Sequence, residues 1–99
     1  MIIVTGYIRI APQDVEAARP QARKNLEATS NEKGCLLYAY GEDILDPGLI
    51  RITERWESWD ALAAHGNSAH MAVWRDALKQ IGVLDRNLIA HETGEERAI

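Results

Sequence analysis

The stretch that decides the fold is residues 35–56, CLLYAYGEDILDPGLIRITERW. Two runs of apolar, aromatic and β-branched residues flank an Asp-Pro-Gly turn, which is the pattern of two strands and their connection. Alternation along the first run puts Leu36, Tyr38 and Tyr40 on one face and Cys35, Leu37 and Ala39 on the other. Along the second run Ile50, Ile52, Glu54 and Trp56 point one way, and Arg51, Thr53 and Arg55 point the other. The two runs are expected to pair as a long antiparallel hairpin.

Upstream of the hairpin, Gly34 ends a helical pattern in the left-handed conformation that glycine supplies. Val15, Ala18, Ala22, Leu26 and Thr29 recur at helical spacing, with Arg19, Arg23, Lys24 and Glu27 largely off that stripe. Pro12-Gln13-Asp14 opens this helix, and Pro20 within it predicts a kink. Ile2 to Ala11 reads as a strand with apolar groups on both faces and not as a signal peptide, since it has no basic leader and Arg9 interrupts it. Downstream, Ser58 caps a short helix through Ala64, and Gly66 breaks it. Asn67 or Ser68 then caps a second helix to about Gln80, with Met71, Trp74 and Leu78 as its apolar stripe. Gly82 stops that helix, LDRNLIAHE forms a last strand, and TGEERAI is a polar tail.

The order β-α-β-β-α-β predicts an α+β fold of the ferredoxin-like split βαβ type, a four-stranded antiparallel sheet with helices on one face. Ninety-nine residues suffice for one domain, residues 1–99. Apolar residues on both sheet faces with helices for only one predict a homodimer, two sheets facing each other to close a dimeric α+β barrel. A net charge of −4 with scattered basic residues argues against a nucleic-acid partner. No apolar run is long enough to span a membrane. A single cysteine, Cys35, rules out an intrachain disulfide and fits a reducing cytoplasm; it reads as an inert small hydrophobe.

No glycine-rich phosphate loop, Cys-x-x-Cys or His-Glu-x-x-His occurs, so nothing points to a flavin, a nicotinamide or a structural metal. The residues left for chemistry are few. His65 and His70 are five apart with Gly66 between, whereas a metal pair on one helix wants a spacing of four, and two imidazoles need a third ligand. Glu54 or His91 could supply one, but no spacing places it, and no metal is expected. Each histidine either packs and caps the helix break or points a neutral imidazole between helix and sheet, where it can bond a ligand or take a proton. Glu54, flanked in parity by Ile52 and Trp56, faces inward; it is either a paired structural carboxylate or a pocket acid–base group with a raised pKa. Tyr38, Tyr40, Trp56, Trp59 and Trp74 form an aromatic group that is mostly core, with Tyr38 and Trp74 as possible pocket walls.

Read in order, Glu32 with Gly34-Cys35, Tyr38, Asp46-Pro47, Glu54-x-Trp56, Leu62-x-x-His65 and Ser68-x-His70 resemble the antibiotic biosynthesis monooxygenase family, especially its quinol monooxygenase-like branch. The ordered set spans about half the chain and no single element is specific. The resemblance implies a dimeric barrel with a pocket between sheet and helices in each subunit. It also implies oxidation of a phenol, anthrone or quinol by O₂ without cofactor, with His65, His70 and Glu54 as catalytic residues and Tyr38, Trp56 and Trp74 against the substrate. Haem-degrading relatives use an asparagine, a tryptophan and a histidine where this chain has Gly6, His65 and Trp74-Arg75, so haem chemistry is not expected. A branch that isomerises phosphorylated ketones would want a basic pocket, but parity sends Arg51 and Arg55 away from the cavity. The other reading is a non-catalytic small-molecule binding or stress-linked protein on the same scaffold.

Overall fold

In the computed structural model, which describes residues 1–99, the hairpin forms as β2 (Cys35–Glu42) and β3 (Leu49–Trp56). Its register sets Tyr38 opposite Glu54 and Tyr40 opposite Ile52. Around it lie β1 (Ile2–Ile10), a 3₁₀ turn (Pro12–Asp14), α1 (Val15–Ser30), α2 (Trp59–Gly66), α3 (Ala69–Ile81) and β4 (Val83–Glu92). All pairings are antiparallel and the strand order is β2-β3-β1-β4. This is the ferredoxin-like arrangement expected from the element order.

One parity reading fails. The β2–β3 register shifts between Cys35 and Leu37, so Cys35 pairs with Trp56 while Leu37 pairs with Arg55. This bulge takes up one residue and turns Cys35 to the side of Tyr38, where it packs on the Ile2–Trp56 cluster. Leu36, expected beside Tyr38, is half exposed instead.

The helix-covered face of the sheet holds the core. Ile8, Ile10, Ile50 and Ile52 pack with Val15, Ala18 and Trp74 in one cluster, and Ile2, Val4, Tyr38 and Trp56 form a second. Helix α1 runs unbroken through Pro20, which lies on its exposed side, so the carbonyl deprived of a partner is left to solvent. Val15, Ala18 and Thr29 of the expected α1 stripe are buried, but Asn25 is fully buried as well, while Ala22 and Leu26 are only partly so. Ser58 caps α2 by accepting from the Ala61 N–H, and Ser68 caps α3 by accepting from the Met71 N–H. Gly34 has φ +83°, and a side chain there would put its Cβ 2.6 Å from that of Ala61. The β2–β3 connection is pinned by Arg9, which grips Asp46 with both guanidinium nitrogens at 3.1 and 2.7 Å, and by Arg51 on Asp43 at 2.9 Å.

The uncovered face is less apolar than the sequence suggested. Cross-strand partners share a face, so it carries Ile3, Leu37, Ala39 and Ile89 among Thr5, Tyr7, Arg51, Thr53, Arg55 and Asn87. No helix is long and apolar enough to cross a membrane.

Candidate active site

Helix α3 packs on α1 and stands off the strands, leaving a cavity of about 480 Å³ between the sheet and the α2–α3 corner. Val4, Ile8, Ile52, Leu88 and Ala90 give it an apolar floor, and Leu62, Met71 and Leu78 an apolar roof. Gly6 lies on β1 between Val4 and Ile8 of that floor. A Cβ at Gly6 would lie 1.8 Å from the Asn87 carbonyl oxygen, so glycine is what lets β1 and β4 approach there.

Glu54, Tyr38, Tyr40 and His65 face this space from the sheet and helices, and the exposed Arg75 and Arg86 also line it. Glu54 is 5% exposed, and its Oε1 accepts from the Trp56 indole N–H at 2.9 Å. Burial pushes its carboxyl pKa above the ordinary carboxylate value, and the indole hydrogen bond and the nearby His65 only partly offset this.

The tyrosines form a chain of hydrogen bonds. Trp74 Nε1 donates to the Tyr40 hydroxyl at 3.0 Å, Asn25 Nδ2 donates to the Tyr38 hydroxyl at 3.1 Å, and the two hydroxyls lie 2.9 Å apart. Indole and amide N–H groups only donate, so two phenol protons remain. One lies between the hydroxyls. The other is left with Met71 Sδ, 3.8 Å from the Tyr38 oxygen and a weak acceptor. The cluster therefore has one O–H free for a ligand in the cavity. Burial raises both phenol pKa values, which keeps these groups neutral.

His65 closes α2 and is 4% exposed. Its ring packs on Trp56, centroids 4.7 Å apart, and edge-on to Tyr38 at 5.0 Å. Nδ1 lies 3.1 Å from Glu32 Oε1, the ring's one hydrogen bond. A carboxylate there accepts from Nδ1–H, which leaves the lone pair on Nε2. The result is an oriented imidazole base at the wall of an apolar chamber.

Of the residues singled out from sequence, Glu54, His65, Tyr38 and Trp74 come together around the cavity. His70 does not line it; its Nε2 meets the same Glu32 oxygen, with Ser68 Oγ at 3.3 Å. Trp56 is wholly buried behind His65 and acts on Glu54 through its indole N–H. His91 pairs with Ile3 on the opposite face, away from the other histidines. The sequence reading gave no role to Glu32, Asn25 or Arg86. Glu32 meets His65 across 33 residues, so no local spacing announces the pair. Asn25 falls next to the apolar stripe of α1, and Arg86 reaches the cavity rim only because β4 pairs with β1 in this register.

Residues 1–77 match the family model for antibiotic biosynthesis monooxygenase. No curated protein matches the sequence. A solved structure from Deinococcus radiodurans, provisionally named an antibiotic biosynthesis monooxygenase, is 33% identical, with 100% of this chain and 98% of that one covered and a TM-score of 0.92. One from Nitrosomonas europaea with the same provisional name is 22% identical, with 94% and 98% covered and a TM-score of 0.87. A Mycobacterium tuberculosis protein, Rv0793, shares the fold at 23% identity, with 98% of each chain covered and a TM-score of 0.85. With a family model over most of its length and a full-length relative at one-third identity, the chain belongs to the antibiotic biosynthesis monooxygenase family.

Proposed function

We propose that this protein is a cofactor-independent monooxygenase that oxidises a phenol, anthrone or quinol with O₂. The observation that carries the reading is the His65–Glu32 pair: an imidazole with its tautomer set by a carboxylate, beside a spare tyrosine O–H, in an apolar chamber. His65 Nε2 takes the proton from the substrate, and the free tyrosine O–H donates to the oxyanion that forms. The carbanion or phenolate carbon gives an electron to O₂, and the two radicals couple to a peroxide. Protonation by the Glu54 carboxyl gives the hydroperoxide. The Glu54 carboxylate then takes the remaining C–H proton as the O–O bond breaks, leaving a ketone oxygen on the substrate, and the departing hydroxide takes the proton held by His65 and leaves as water. The apolar walls exclude water from the anion. Arg75 and Arg86 at the rim suit a substrate that is anionic or becomes so.

The working unit in this reading is a homodimer joined through the uncovered sheet face, in a reducing cytoplasm that suits a chain with one cysteine. Oxygen uptake with anthrones and hydroquinones tests the activity. Turnover is expected, and His65→Ala should lower kcat by about 10²–10⁴-fold, the usual contribution of a positioned base. Saturable binding of these compounds with no uptake above the buffer rate would instead make the chain a small-molecule binding protein on this scaffold.

A further inference from the structure

Three side chains that the reaction above uses only in part meet at one point. Glu32 comes from the turn after α1, His65 closes α2 and His70 lies in the first turn of α3. One ligand atom from each, a carboxylate oxygen and two imidazole nitrogens, lies within 4.8 Å of the other two. The side chains are 17%, 4% and 26% exposed respectively, so the cluster is shielded by the fold and open to water on the His70 side.

This donor set is the kind that holds a divalent transition-metal ion. At metal–ligand bonds of about 2.0–2.1 Å, a tetrahedral ion keeps its ligand atoms roughly 3.3 Å apart. Glu32 Oε1 and His65 Nδ1, at 3.1 Å, already meet that spacing. His70 is the most exposed of the three and can supply the remaining movement, on the order of 1 Å. Without an ion, a single carboxylate oxygen must receive protons from two separate imidazoles. A divalent cation takes the place of both shared protons, each imidazole N–H moving to the ring's other nitrogen, and leaves one position for water.

We propose that Glu32, His65 and His70 bind a divalent transition-metal cation of the zinc class. The ion ties the α1–β2 turn to the α2–α3 corner. It also occupies Nδ1 of His65 and leaves the ring proton on Nε2, so loading removes the base of the reaction above; this consequence rests on that reading, whereas the binding itself does not.

The test is titration of metal-stripped protein with Zn²⁺ against a chromophoric chelator, with Co²⁺ as the spectroscopic probe. One ion per chain is expected, with tetrahedral Co²⁺ bands and a Zn²⁺-dependent rise in Tm. His70→Ala and Glu32→Gln should each weaken binding by more than about 10-fold, since even an outer-shell partner contributes that much. His91→Ala, on the far side of the sheet, should bind as the wild type does. Absence of a saturable site, or equal affinity in the wild type and in folded His70→Ala, overturns the proposal whatever the chain does to quinols. Stoichiometric binding that leaves oxygen uptake unchanged leaves the cation site in place and removes His65 Nε2 as the base.

Discussion

Glu54 occupies a position that stability alone would not choose. Its carboxyl is enclosed by apolar walls, and one indole N–H is its hydrogen-bond donor. The folded pKa is therefore raised above the unfolded value, so the native state holds a proton more readily than the unfolded chain. Stability from this group is withheld at pH values above the folded pKa and returns as pH falls through it. Glu54→Gln keeps an acceptor for Trp56 and has neither a proton to take up on folding nor a charge to bury. At neutral pH its Tm should exceed that of the wild type, and the gap should close on acidification; parallel melts across pH check this. The Asp43–Arg51 and Asp46–Arg9 pairs weaken in acid in both proteins and cancel from the comparison. Turnover should fall in the same variant, because the amide has no acidic proton to give. A Tm below that of the wild type at neutral pH would mean that the carboxylate is paired and stabilising.

At the level of elements, two local features shape the cavity, one at the start of α2 and one where β1 meets β4. Ser58 starts α2 by accepting from the Ala61 N–H at 3.1 Å, and this helix delivers His65 about two turns later. Ser58→Ala should cost about 1 kcal/mol in urea unfolding, the usual value for a lost N-cap. Gly6 keeps β4 against β1. Gly6→Ala brings its Cβ onto the Asn87 backbone, which cannot rotate away as a side chain would. The expected cost is at least about 1–3 kcal/mol. It should be concentrated in β4, so amide exchange should accelerate from Asp85 to Ala90 before it does in β3. Uniform acceleration across the sheet would show that the strand pair had absorbed the change.

The whole molecule has one sheet face covered by helices and one bare. Ile89 and Leu37 on the bare face are 51% and 40% exposed, set among threonines and arginines. A mixed face of this kind suits pairing with a second copy, where apolar centres are ringed by polar groups. Sedimentation of the wild type is expected to give a dimer. Ile89→Glu should give a folded monomer, as circular dichroism and sedimentation together would report. A monomeric wild type would remove the barrel from the description and leave the cavity of the single chain intact.

What the sequence determined by itself were the features set by near neighbours. Hairpin periodicity, the left-handed Gly34, the Ser58 and Ser68 caps and the inward parity of Ile50, Ile52, Glu54 and Trp56 all follow from backbone preference and side-chain period within a few residues. Glu54 could be singled out because an ionisable group at an apolar parity stands out locally, and His65 because two histidines flank a helix break. Only the tertiary structure decided the rest. The bulge at Leu36 reverses the side of Cys35, since a strand's facing depends on how its partner registers with it. Glu32 orients His65 from another element, His70 falls behind that carboxylate, and Trp56 serves Glu54 instead of the cavity. These meetings depend on how rods pack across a sheet, and the local pattern of a chain does not carry that distance information.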